Sequence, residues 1–298
     1  MQEQILNYFQ NLQSHSLDAF FTTITMMGEQ YVIIAIITWV YWNMSKKDGF
    51  LLTYLFLIST VLNSFLKFAF HTERPYKVLE QIQGKRLETG AGYAFPSGHT
   101  QSATTLYTSI AMSVKTRTFW MIAIALSVLV GISRMYLGVH WPVDVLFGFI
   151  FGLLIPVLLY NRLSELYEDK EKFKRLLYTT LVSIFSLAGL MILVNYLFFE
   201  MSLDYSGYFK LAGVSTGAIF GFIFEENKAP FKTEHYSTFK LIRYFLGIAG
   251  TIAILVGMKK ILPMGDAADF FRYLLVGAWI SGVFPFIAVK IKLMKQED

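Results

Sequence analysis

Apolar runs of nearly twenty residues recur along almost the whole chain, separated only by short polar breaks. A run of that length crosses the hydrocarbon of a bilayer as a helix, because a helix satisfies every backbone N–H and C=O within its own segment. The chain is therefore expected to be an all-α, polytopic helical membrane protein. An ordinary soluble domain is excluded, and so are a disordered chain and a coiled coil. Charged residues make up only 16% of the sequence and apolar ones 55%, which agrees.

Cutting the 298 residues at their polar breaks leaves about nine candidate spans, over 30–43, 50–70, 97–113, 119–137, 142–160, 177–198, 211–224, 241–261 and 273–289. This implies an interfacial amino-terminal segment over 1–29, a catalytic core over 30–160, a cytoplasmic linker over 161–176 and an accessory four-span region over 177–298. Lys and Arg gather on alternate loops, at Lys46 and Lys47, Lys115 and Arg117, Arg162 to Arg175, Lys228 to Arg243, and after Val289; these hold sixteen of the 26. The positive-inside rule puts those loops and the carboxyl end in the cytoplasm and the amino end outside. The net charge of +5 is thus a topology signal, and no nucleic-acid partner is expected. Nothing at Met1 resembles a cleavable signal. With no cysteine in the chain, disulfides, thiolate metal sites and a cysteine nucleophile are excluded.

Three short motifs end at the expected outer face: Lys67, six residues, then Arg74-Pro75; Pro96-Ser97-Gly98-His99; and Ser133-Arg134, five residues, His140, three residues, Asp144. A cation at membrane depth is costly unless used. Lys67, Arg74 and Arg134 suit a phosphate dianion, since Arg offers a planar fork and Lys a point charge. Pro96 reads as a helix-starting proline, so the N–H groups of Ser97, Gly98 and His99 are expected to form an anion cradle at a helix N-terminus. His140 and Asp144 are one helical turn apart, so Asp144 can hold one imidazole nitrogen and raise the basicity of the other. His140 is then the better nucleophile, and His99, beside the cradle and without an acidic neighbour at helical spacing, fits the acid. No metal-ligand cluster accompanies them, and no cofactor is expected.

Together the three motifs resemble the signatures of the type 2 phosphatidic acid phosphatase family, which includes vanadium haloperoxidases and glucose-6-phosphatase. The resemblance covers roughly residues 16–160. It implies metal-independent hydrolysis of phosphate esters or pyrophosphates, with a phosphohistidine at His140, Asp144 orienting it and His99 protonating the leaving group. Lys67, Arg74, Ser97, Gly98 and Arg134 would bind the phosphoryl group. The implied substrates are lipids such as phosphatidylglycerol phosphate, phosphatidic acid or undecaprenyl pyrophosphate. A glucose-6-phosphatase-like enzyme for a sugar phosphate is the alternative enzyme, and a non-catalytic lipid-binding or transport protein the alternative of another class.

Several features lie outside the motifs. His71 reads as a loop residue, His15 as interfacial and His235 as cytoplasmic. Glu73 is expected to pair with a neighbouring cation. Tyr76 and Tyr93 flank the motif loop and could gate it. Lys77, Lys85 and Arg86 read either as a lure for anionic headgroups or as a solvated loop. Gly213, Gly217 and Gly221 recur every four residues, which puts three small residues on one stripe for close helix packing, within the chain or between copies in a homo-oligomer.

Overall fold

The computed structural model describes residues 1–90, 92–199, 206–233, 239–263 and 265–297. Among the described residues thirteen α-helices follow one another: α1 Gln2–Asn11, α2 His15–Met26, α3 Gln30–Asn43, α4 Lys46–Phe70, α5 Pro75–Val78, α6 Gly98–Val114, α7 Arg117–Tyr136, α8 Pro142–Glu168, α9 Lys170–Phe198, α10 Ser206–Lys228, α11 Lys240–Ile261, α12 Asp266–Ala278 and α13 Phe284–Lys290. A π-helical segment, Trp279–Val283, joins the last two. The strands β1 Phe231–Lys232 and β2 Lys295–Gln296 make one short antiparallel pair. His235 lies outside the described residues.

Among the described residues, seven helices are long and apolar enough to cross a membrane, and the pair α2 and α3, bent by 46°, would be an eighth. Nine spans were expected. The third of these, over 97–113, is α6, which is too polar for that measure and yet is buried: Thr100, Gln101, Thr104, Thr105 and Ser109 are almost inaccessible. Its polar groups are paired inside. Gln101 Nε2 donates to Ser59 O at 2.8 Å, Asn63 Nδ2 to Gln101 Oε1 at 2.9 Å, and Ser59 and Thr105 share a hydroxyl bond of 2.8 Å. An internal polar seam with partners costs little, whereas the same helix against lipid would leave them unpaired.

The chain divides into two compact units, residues 1–34 with 51–163 and residues 35–50 with 164–298. In the first, α8 approaches α6 through glycines: a Cβ on Gly148 would stand 2.7 Å from Ser97 O, and one on Gly152 2.6 Å from Gln101 O. The amino-terminal segment forms α1 and α2, whose Phe9 and Phe21 rings pack on Tyr136 at the end of α7. Lys85 and Arg86, expected as a lure or a solvated loop, are instead ion-paired, Lys85 with Asp18 at 2.6 Å and Arg86 with Glu29 at 2.8 Å. Lys77 and Glu73 are 3.7 Å apart, the pairing expected of Glu73.

The second unit is built around Trp42, whose indole donates to Ile280 O at 3.0 Å and packs on Phe284. Two cations on the basic loops are internal here. Lys46 pairs with buried Glu225 at 2.7 Å and with Glu226, and Arg243 donates twice to Asn43 Oδ1, at 2.6 and 2.8 Å. Removing either partner of the Lys46–Glu225 pair, or Asn43 from beside Arg243, strands a buried charge.

The glycine stripe of α10 meets α12 and the π segment of the same chain. A Cβ on Gly213 would lie 2.2 Å from Phe270 O, one on Gly217 1.9 Å from Leu274 O, and one on Gly221 2.2 Å from Ser281 Oγ. Gly277 faces back, 2.2 Å from Val214 O by the same measure. Backbones this close gain van der Waals contact along the crossing, which apolar burial does not supply within lipid. A Gly217→Leu substitution should force the helices apart at a cost of about 1–3 kcal/mol. Thermal melting in detergent is expected to fall by several degrees, and unchanged melting would show that the crossing is not close-packed.

Candidate active site

The three motifs meet in the first unit, at the ends of α4, α6, α7 and α8. Lys67 lies in the last turn of α4. Its ammonium donates to the carbonyl of Tyr93 and, at 3.4 Å, to that of Ala94. Arg74 caps the short α5 and is 3% exposed. Its guanidinium donates from Nε to Gly92 O at 2.9 Å, from Nη2 to Tyr93 O at 3.2 Å and from Nη1 to Val139 O at 2.9 Å. Arg74 thus ties the loop before α6 to the turn before α8, and Lys67 ties the end of α4 to the same loop, through backbone carbonyls. Tyr93, read from the sequence as an interfacial residue that could also gate the loop, takes part here through its carbonyl.

His140 stands on that turn, which needs the positive φ of Gly138, +69°; a Cβ there would also lie 2.9 Å from Gln83 O. Arg74 Nη1 is 3.2 Å from His140 Nε2. A guanidinium can only donate, so Nε2 carries the lone pair and Nδ1 the hydrogen. Nδ1 in turn faces Asp144 Oδ2 at 3.3 Å, and the same oxygen accepts the Trp141 N–H at 2.8 Å. The tautomer follows from these contacts, and the carboxylate is held from both sides. His140 is 2% exposed. Burial first, then the positive charges of Arg74, Arg134 and Lys67, holds its imidazole well below the ordinary range. The rise in basicity expected from Asp144 is outweighed. The same influence, together with that of His99, shows that all four groups bear on His140.

The second motif differs in detail from the expected cradle. The helix starts at Gly98, two residues after Pro96, with Ser97 as its N-cap. The Ser97 N–H is committed to Asp144 O at 2.9 Å, and its hydroxyl bonds Thr100 Oγ1 at 2.9 Å. Because the first intrahelical bond runs from Gln101 N–H to Ser97 O, at 3.0 Å, the amides of Gly98, His99 and Thr100 have no intrahelical partner, and Ser97 locks α6 to α8. His99 Nε2 is buried and has no hydrogen-bond partner among the described residues. Arg134 is fully buried at the end of α7; its Nη1 donates to Thr25 Oγ1 at 2.9 Å and to Thr89 Oγ1 at 3.3 Å, and its Nη2 to Thr89 O at 3.4 Å. The sequence reading missed Thr25, Thr89 and the carbonyls of Gly92, Tyr93 and Val139. None has a local signature, since each acts by where the fold brings it. Cations, two imidazoles and one carboxylate, with partnerless N and O atoms buried among them, can hold a phosphoryl group and exchange protons with it.

Comparison with known proteins agrees with this chemistry. Two family models match the chain: PAP2 superfamily over residues 48–168, and PAP2 superfamily phosphatase, transmembrane extension, over residues 209–296. The chain is 28% identical over 159 residues to an undecaprenyl-diphosphatase of Sulfolobus acidocaldarius, which covers 52% of this chain and 73% of that protein. It is 32% identical over 152 residues to phosphatidylglycerophosphatase B of Bacillus subtilis, 47% of this chain and 71% of the relative. Among solved structures, Aquifex aeolicus LpxE is similar with a TM-score of 0.48 and 27% identity, over 53% of this chain and 93% of that one.

The lowered imidazole range of His140 has a kinetic consequence. A group that works as a neutral base loses function as pH falls through its own pKa, and that pKa lies below the ordinary 6.5. The acidic limb of kcat/KM for phosphate release should therefore fall below pH 6.5, and a limb at or above that value would contradict a desolvated His140.

Proposed function

The chain belongs to the PAP2 superfamily, and from that premise we propose that it is a metal-independent integral membrane phosphatase that hydrolyses lipid phosphates or pyrophosphates through a phosphohistidine at His140. Phosphatidylglycerol phosphate, phosphatidic acid and undecaprenyl pyrophosphate are the substrates this reading favours. The names of the relatives support that class. The observation that carries the reading is His140 itself: neutral, with its proton fixed on Nδ1 toward Asp144 and its Nε2 lone pair facing Arg74.

An incoming phosphoryl group competes with Nε2 for Arg74. Its oxygens attract the guanidinium more strongly than a neutral imidazole does, so binding uncovers the nucleophile. Nε2 attacks phosphorus as the bond to the leaving oxygen breaks, and protonated His99 gives its proton to that oxygen. Asp144 stabilises the positive ring through Nδ1–H. Lys67, Arg74, Arg134 and the amides of Gly98 and His99 hold the three equatorial oxygens, supplying the charge stabilisation. Water then attacks the phosphohistidine with His99 taking its proton, and phosphate leaves His140 as it began.

His140→Ala and His99→Ala should each lower the rate of phosphate release by about three orders of magnitude or more. Activity should survive chelators and be blocked by orthovanadate, which adopts the five-coordinate geometry of the transition state. An active His140→Ala protein, or one revived after chelation only by added Mg²⁺, would sink the assignment.

The site is proposed to open to the extracytoplasmic face of the cell membrane, at headgroup level, so that a lipid presents its phosphate while its tails stay in the bilayer. The sixteen of 26 Lys and Arg gathered on the alternate loops support this orientation. The chain has no cysteine, so single ones can be placed at will. A membrane-impermeant thiol reagent should label Glu80→Cys in intact cells and spare Glu171→Cys, both exposed positions. The opposite pattern would turn the site to the cytoplasm.

A further inference from the structure

The PAP2 superfamily model begins at residue 48, yet an earlier helix reaches the site. Thr25, on α2, is 0% exposed, and its Oγ1 lies 2.9 Å from Arg134 Nη1. The other Nη1 contact is Thr89 Oγ1 at 3.3 Å, and Nη2 reaches Thr89 O at 3.4 Å. A guanidinium carries five N–H bonds in a plane. These contacts use both hydrogens of Nη1 and one of Nη2. What remains is the Nε–H, buried and without a partner among the described residues, and the second Nη2–H. In a planar guanidinium those two point the same way, as a fork that matches two oxygens of a phosphoryl group.

We propose that Thr25 is a positioning residue for the reaction: together with Thr89 it clamps the far edge of the Arg134 guanidinium, so that the Nε–Nη2 fork is presented to the phosphoryl oxygens. The inference rests on Arg134 binding the phosphoryl group, as proposed above. Its parts close into a ring. Thr89 Oγ1 donates to Arg86 O at 3.0 Å, which turns its lone pairs toward Arg134. Arg86 Nη1 pairs with Glu29 Oε1 at 2.8 Å, one helical turn beyond Thr25 in the sequence. The loop bearing Thr89 and the helix bearing Thr25 are thereby tied to each other as well as to Arg134. A hydroxyl suits the task better than a carboxylate would. It fixes the direction of the N–H bonds while leaving the full positive charge for the substrate, whereas an acid at this place would neutralise the cation and compete for it.

The test compares Thr25→Val, which keeps the shape and loses the acceptor, with Thr25→Ser, which keeps the acceptor. Each is made in the wild-type and the Arg134→Lys backgrounds. Phosphate release from a short-chain phosphatidic acid, inhibition by orthovanadate and melting in detergent are measured for all. Thr25→Val should lower kcat/KM about tenfold and weaken vanadate inhibition in the same ratio, with Thr25→Ser within about threefold of wild type. In the Arg134→Lys background, Thr25→Val should add less than about twofold, because the clamped group is gone. Equal effects of Val and Ser, a loss of melting temperature without a change in vanadate inhibition, or the full effect in both backgrounds would overturn the proposal. Should Thr25→Val not fold, Thr25→Ala against Thr25→Ser gives the same comparison. An Arg134→Lys protein with wild-type activity would instead overturn the role of Arg134 and the clamp with it, an outcome separate from a silent Thr25.

Discussion

Holding several like charges together in a place that water hardly reaches is the constraint on which the first unit depends. Lys67, Arg74 and Arg134 all act on His140, and among the described residues Asp144 is the one carboxylate in direct contact with it. Charges of one sign repel more strongly in a low-dielectric interior, and each loses its hydration there. The fold answers with neutral acceptors. The carbonyls of Gly92, Tyr93, Ala94 and Val139 and the oxygens of Thr25 and Thr89 take the N–H bonds without cancelling the charge. The loop before α6, the turn before α8 and the end of α2 are shaped by this need. An anion placed among the cations relieves their repulsion, so the same arrangement that is costly by itself favours a phosphate.

Packing in the rest of the molecule serves closeness more than apolar burial. Within a bilayer, burying a leucine against another helix gains little over leaving it in lipid, so association depends on fit and on paired polar groups. The helix α6 illustrates the polar solution, with Gln101 and Thr105 bonded to α4. The crossing of α10 and α12 illustrates the other, with glycines on both helices. Large apolar residues stand exposed in both units, Val128 and Leu158 in the first and Phe185, Leu241 and Phe245 in the second.

Membership of the PAP2 superfamily and the matched transmembrane extension divide the chemistry unevenly along the chain. Every motif residue falls within residues 48–168, and the extension over 209–296 contributes helices and no motif residue. Even so, the matched segment does not hold the whole of the compact unit that carries the motifs. Thr25 lies ahead of it on α2 and Gln2 ahead of that on α1, the latter accepting the Val143 N–H at 3.1 Å beside Asp144.

The sequence by itself determined the membrane class and the helical architecture, and it marked out the motif residues that the fold brings together. Each rests on information that is local in the chain: apolar run length, the four-residue step from His140 to Asp144, prolines at helix starts and glycines every fourth residue. Local reading went astray where a group could choose between partners. The amide of Ser97 looked available for an anion and is taken by Asp144 O; Lys85 and Arg86 read either as a lure for headgroups or as a solvated loop and are paired with Asp18 and Glu29. Run length alone counted α6 as a span like the others, although its Gln101 and Thr105 find their partners on α4. Tertiary structure alone decided which tautomer His140 adopts, which way its basicity moves and which edge of Arg134 is left open. Those properties depend on distances between residues far apart in sequence, and hydrogen bonds and desolvation act through space with no trace in the order of the chain.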